Sequence, residues 1–285
     1  MVERGTTALR ALRLLVLVLP VVLVVGCGQG TRGAPAAGPG QRPASRTALQ
    51  VFAAASLADA FGQMGQSFER AHPGVRVTFN FAGSQQLAQQ LAQGAPADVF
   101  ASANQKQMSA AQAAGVVRRE DVQEFARNRL VVIYPAANPA GVRTLRDLGR
   151  PGVKLDVAAR EVPAGQYSLA CLEAAARQPG YGAGWKRTVL GNIVSYEENV
   201  RSVVSKVSLG EADAGIVYQS DVTAEVRDRV GRIEIPQEVN QVASYPIAVT
   251  KASLHPELAR AWVEYVRSTE GQRALKAHGF IPVGR

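Results

Sequence analysis

The sequence predicts an α/β protein. Short apolar or alternating runs recur along it, segments of helical spacing follow them, and the turns between carry Gly, Ala and Ser. With 285 residues, 47% hydrophobic and only 19% charged, the chain has enough apolar side chains for cores of ordinary domain size.

Leu49–Ala53 reads as a buried strand. Ser56 follows as a helix N-cap, with Leu57, Phe61, Met64 and Phe68 on one helical face. Gly74 opens a second strand, in which Val75, Val77, Phe79 and Phe81 alternate with Arg76, Thr78 and Asn80. Gly83-Ser84 then starts a helix bearing Leu87 and Leu91, and Asp98–Ala101 is a third short strand. Strands alternating with helices in this way argue for parallel pairing. Leu130–Tyr134 is a β-branched strand ended by Pro135, and a second alternation begins there. It comprises a strand at Val153–Ala158, a helix at Gln166–Arg177, a strand at Ile193–Ser195, a helix from Val200 to Leu209 and a strand at Ala214–Val217. Gly210 stops that second helix. Tyr245–Thr250 is a final strand, before a helix with Leu258, Trp262, Tyr265 and Val266 on one side.

The first 26 residues differ from all of this. Arg4, Arg10 and Arg13 precede the apolar run Leu14–Val25, which is shorter than the ~20 residues a spanning helix needs and reads as a signal peptide. The run ends in Val24-Val25-Gly26-Cys27, which looks like a bacterial lipobox with Cys27 as the lipidated residue. Residues 27–46 hold five Gly and three Pro and nothing aliphatic beyond Ala, so they are expected to form a flexible tether. The reading is of an exported chain, held at the outer face of the cell membrane only through its N-terminal lipid or else periplasmic. The second cysteine, Cys171, lies in an apolar helix with no His arranged near it, as expected for a buried, inert thiol.

Charge and motifs exclude several classes. Lys and Arg number 32 against 23 Asp and Glu, a formal +9, but the basic residues are scattered and aromatics make up only 6%. That pattern offers no stacking face for nucleic acid and suits an anion-handling protein. The sequence has no G-x-S-x-G elbow, and His72, His255 and His278 stand apart from the serine-bearing turns, so a serine hydrolase has little support. No H-x-x-x-H, H-E-x-x-H or C-x-x-C spacing marks a cation site. Gly180–Gly184 lacks the preceding strand and the Lys of a phosphate loop and reads as a turn.

What remains are four turns in which small or polar residues lead into a helix: Ala55-Ser56-Leu57, Gly83-Ser84-Gln85, Pro163-Ala164-Gly165 and Glu198-Asn199-Val200. In an open α/β sheet such turns sit at the carboxyl ends of strands, where each helix start offers unpaired N–H groups to an anion. Taken singly, Ser56 and Ser84 read more readily as structural N-caps.

The blocks Val51–Leu57, Phe81–Ser84, Gly94–Phe100, Val162–Tyr167, Asn199–Arg201, Glu211–Tyr218, Tyr245–Val249 and Gly279-Phe280 together resemble the periplasmic molybdate-binding proteins of ABC importers. The resemblance implies a two-lobed, type II periplasmic binding protein, each lobe a mainly parallel sheet flanked by helices, with the ligand in the cleft. It further implies hydroxyl donors at Ser56, Ser84 and Tyr218 and backbone N–H donors at Ala164 and Val200, holding molybdate or tungstate with no cofactor and no catalysis. Molybdenum would be bound as its oxyanion, not as a cation. The expected partner is the ABC permease, and the protein itself is expected to be a monomer. Residues 48–130 plus 245–285 are expected to form lobe 1 and 131–244 lobe 2. Gln85 and Gln86 depart from the Ser or Thr frequent in that family, so these two positions carry no secondary hydroxyl donor. A sulfate or phosphate binder of the same fold is the competing expectation.

Overall fold

In the computed structural model, residues 46–284 are described. The leader, Cys27 and the tether up to residue 45 lie outside them.

Thr47–Ala54 (β1) lies between two parallel neighbours, Val75–Ala82 (β2) and Val99–Ala101 (β3), which is why five of its last six residues are buried. Helix α1 (Ala58–Ala71) lays Phe61, Met64 and Phe68 against this sheet. There the Trp262 ring meets Phe61 and Phe68 edge-on, at centroid distances of 5.5 and 5.3 Å. Gly65 admits the Phe79 ring, since a Cβ there would stand 2.8 Å from Phe79 Cε2. On the other face, α2 (Ser84–Ala92) and α3 (Gln105–Ala113) enclose a smaller core of Phe52, Leu87, Leu91, Phe100 and Met108.

The strand Gln123–Pro135 (β4) is the axis of the molecule. Its first half, Gln123–Arg129, pairs antiparallel with β9 (Val242–Val249). Its second half pairs with β7 (Ala214–Tyr218) from Leu130 to Ile133 and with β8 (Val230–Glu234) from Val131 to Pro135, again antiparallel. Beyond β7, the strands β5 (Leu155–Ala158) and β6 (Ile193–Glu197) continue in parallel. The order along the sheet is β2-β1-β3-β9-β4-β7-β5-β6, and β10 (Ile281–Pro282) joins β4 off this path. The sheet is therefore mixed, with parallel trios at its ends and antiparallel strands between. Helices α4 (Pro163–Ala176), α5 (Trp185–Gly191) and α6 (Val200–Ser208) pack beside the β5–β7 trio, and α7 (Pro256–Arg267) and α8 (Thr269–Ala277) close the chain.

Several elements exceed the sequence expectation. The first half of β4, with α3, α5, β8 and β10, carries too little periodicity to be read in advance. Cys171 is free and buried within α4, and burial pushes its thiol up to about 12, so it stays protonated. Among the described residues, no helix is long and apolar enough to cross a membrane.

Candidate functional site

Parallel strands deliver their carboxyl ends to one place. The end of β1 turns through Ala55–Leu57, a single 3-10 turn containing Ser56. The end of β2 reaches Gly83, the N-cap of α2, so that Ser84 is that helix's first residue. Pro163 opens α4 beyond β5 and places Ala164 second, while Asn199 caps α6 beyond β6 with Val200 first. Tyr218 ends β7. All five sequence-predicted ligand residues line one small cavity, together with Ala54, Ala55, Ala82, Gly83, Ala103, Val162, Pro163 and Asn199. The space they enclose takes only a few atoms, which suits a small ion rather than a drug-sized ligand.

The lining contains no charged side chain, and its polar side chains are the hydroxyls of Ser56, Ser84 and Tyr218 and the Asn199 amide, whose Oδ1 is already taken by two N–H groups. Tyr218 is buried, and its hydroxyl has no hydrogen-bond partner within the protein. Leaving a buried hydroxyl unmatched costs about 1–3 kcal/mol, so a group bound in the cavity is its natural partner. The ring is held edge-on between Tyr245 and Tyr167, at 5.8 and 6.4 Å. Burial raises the Tyr218 phenol well above its ordinary value, so it remains a donor at any physiological pH.

Ser84 Oγ accepts the Ala103 N–H at 3.0 Å, which leaves its own proton free to point elsewhere. Ser56 is not the N-cap expected from sequence. No side-chain cap is made at either helical start beside it, and its Oγ instead meets Tyr245 Oη at 2.9 Å. Asn128 Nδ2 reaches the same Tyr245 oxygen at 3.5 Å, while Asn128 Oδ1 accepts the Arg129 N–H. Asn128 Nδ2 also donates to Ser220 Oγ at 2.8 Å; when Tyr245 donates to Ser56, the Ser56 proton is free to point onward. Tyr245 and Asn128 thus support the site from 189 and 72 positions away in the chain. Nothing in their local sequence signals that role.

The backbone donors are equally defined. Asn199 Oδ1 accepts from Arg201 N and Ser202 N, at 3.0 and 3.1 Å. The Val200 N–H, at the first helical position, has no intrahelical carbonyl to meet. Pro163 contributes no N–H, so Ala164 carries the first available donor of α4. Gly165 has to be glycine, because a Cβ would overlap the Ala158 and Ala159 carbonyl oxygens on which this turn rests.

Charged groups stay behind the lining. Arg201 forms ion pairs with Asp59 and with buried Asp221, the latter at 3.5 Å. Asp221 Oδ2 accepts the Tyr218 N–H at 3.0 Å. Burial lifts Asp221 to about 6, against the opposing pull of Arg201. Neither Asp221 nor Glu198 lines the cavity, so no carboxylate waits there to accept a proton from a ligand. The histidines are also elsewhere: His72 stacks on Phe68, His255 precedes α7 and His278 bonds Gln63.

Residues 49–281 match the family model of the bacterial extracellular solute-binding proteins. Over 266 residues the chain is 40% identical to the molybdate-binding protein ModA of Mycobacterium tuberculosis, covering 93% of this chain and 95% of that one. Among solved structures it is similar to the periplasmic molybdate-binding protein of Azotobacter vinelandii, with a TM-score of 0.71 at 20% identity over 83% of this chain and all of that one. It is also similar to the sulfate-binding protein SubI of M. tuberculosis, with a TM-score of 0.74 at 21% identity over 84% and 88% of the two chains. At such identities these two structures speak for the fold.

Proposed function

The chain belongs to the bacterial extracellular solute-binding proteins, which bind solutes and do not transform them, and we propose that its solute is molybdate, delivered to an ABC permease. The 40% identity to a molybdate-binding protein over nearly the whole chain supports this reading. The observation that carries it is the uncharged cavity, in which the buried Tyr218 hydroxyl lacks a partner and no carboxylate is present. Molybdate is a fully deprotonated tetrahedral dianion at neutral pH and can only accept hydrogen bonds. Ser56, Ser84 and Tyr218 would supply hydroxyls, and Ala164 and Val200 would supply N–H groups. Five such bonds at about 1.5–3 kcal/mol each bracket the ~8 kcal/mol of a micromolar complex, and toward the upper end of that range they leave a surplus to offset desolvation and closure.

Tungstate has the same charge and shape and is expected to bind comparably. Sulfate is the competing ligand, because it too is a proton-free dianion and a sulfate-binding protein shares the fold. Its smaller radius leaves it unable to reach every donor at once. Hydrogen phosphate carries a proton and would find no carboxylate in the cavity to accept it. Calorimetric titration with the four ions decides the matter. Molybdate and tungstate should bind alike, sulfate far more weakly and phosphate least. Tight phosphate binding with no response to molybdate would overturn the assignment.

The sequence supports the remaining parts of this reading. Export by residues 1–26, a lipid anchor at Cys27 and a flexible tether would hold a monomer at the membrane's outer face, within reach of its permease.

A further inference from the structure

Two of the turns that line the cavity also touch each other. Gln85 Nε2 donates to the Glu198 carbonyl oxygen at 2.9 Å, and Gln86 Nε2 donates to Glu198 Oε2 at 3.0 Å. The Gln86 amide is oriented for this, because its Oε1 accepts the Gly83 N–H at 3.2 Å. The backbones are close as well: a Cβ on Gly83 would stand 2.5 Å from the Glu198 carbonyl oxygen. Gln85 and Gln86 directly follow Ser84, and Glu198 stands two residues before Val200. These contacts therefore join the two turns that supply donors from opposite ends of the sheet. Glu198 itself is exposed at this rim.

We propose that Glu198, gripped by Gln85 and Gln86, is a clasp that sets how long the bound anion stays, and that its carboxylate slows the anion's arrival. The proposal rests on reading the cavity as the oxyanion site. The clasp bonds exist only while the two turns meet, so their loss acts on the dissociation rate. The carboxylate acts separately, through its charge. A negative group at the rim repels an incoming dianion, over a range that shortens as salt is added.

The two effects separate in kinetics. Uptake and release of radiolabelled molybdate by rapid filtration would be compared in the wild type, Gln85→Ala/Gln86→Ala, Glu198→Ala and Glu198→Gln, with unliganded thermal unfolding showing that each variant folds. The double Gln variant should release molybdate about tenfold faster with uptake unchanged. Glu198→Ala should release it about three- to tenfold faster and, at low ionic strength, take it up about two- to fivefold faster. Glu198→Gln keeps an oxygen for Gln86 and should combine the faster uptake with near-wild-type release. A merely structural role for Glu198 would not split the two rates this way. Unchanged release in the double Gln variant would overturn the clasp, and unchanged uptake in Glu198→Gln would overturn the charge effect. A wild type that takes up no molybdate would remove the functional reading itself, and this proposal with it.

Discussion

A serine hydroxyl is useful to an anion only if its proton points the right way, and a neighbour engages both Ser56 and Ser84. Ser84 accepts from the Ala103 N–H, and Ser56 is in contact with a tyrosine that Asn128 in turn approaches. Tyr218 needs no such help, because its ring is wedged between two other tyrosines and its oxygen is already unmatched. Ser56→Ala, Ser84→Ala and Tyr218→Phe should each cost about 1.5–3 kcal/mol of molybdate binding, roughly 10- to 150-fold, without abolishing it. Tyr245→Phe should cost less, since it frees the Ser56 hydroxyl to rotate but removes no ligand contact. Isothermal titration of the four variants checks this ranking, and equal losses at Tyr245 and Ser56 would contradict the relay. Ser56, Ser84, Ala164 and Val200 were legible as candidate donors because each lies at a turn into a helix, whereas Tyr218, at the end of β7, came only from the family resemblance. Tyr245, Asn128 and Ala103 were not legible, since their role comes from pairing across the fold and leaves no local pattern.

At the scale of elements, the site is a consequence of parallel strands ending side by side and handing over to helices whose first N–H groups lack partners. The handover at α4 is the tightest. Its first turn rests on the β5 end so closely that Gly165 has no room for a methyl group. Gly165→Ala should therefore push the α4 start away from β5. The expected cost is about 1–3 kcal/mol of stability from overpacking, which for a domain of this size corresponds to about 2–12 °C in melting temperature. Molybdate binding should weaken in the same variant, because the Ala164 N–H moves with the turn. Thermal unfolding without ligand and titration with it test the two parts separately. The elements that sequence reading recovered are those with a strong period, such as the β2 alternation and the amphipathic faces of α1, α6 and α7. The half of β4 at Gln123–Arg129 reads as polar because its partners are supplied by β9, β10 and the packed helices. In α3, QKQMSAAQA shows almost no apolar stripe, yet Met108 and Ala111 are fully buried in the smaller core.

For the whole molecule, β4 decides what can move. It leaves the β9 ladder at Arg129 and enters the β7 and β8 ladders at Leu130 and Val131, so one strand belongs to both halves of the sheet. We propose that residues 48–130 with 245–285 form one lobe and 131–244 the other, joined near Leu130 and near the start of β9. Ser56 and Ser84 then belong to the first lobe, and Ala164, Val200 and Tyr218 to the second. Two covalent crossings with no third allow a hinge motion while keeping the lobes in register. The clasp of Gln85 and Gln86 on Glu198, the Arg201–Asp59 ion pair and the Asn104–Gln166 contact would all span the lobes, and all would break on opening. The donors are then complete only when the lobes meet, so the ligand itself should favour the compact form. Saturating molybdate should reduce the radius of gyration measured by solution scattering. At one hundred times Kd it should also add about 2.7 kcal/mol of stability, a rise of about 5–11 °C in melting temperature for a chain of this length. An unchanged radius with a raised melting temperature would mean that the ion enters a cleft already closed, and it would sink the hinge while leaving the binding site intact.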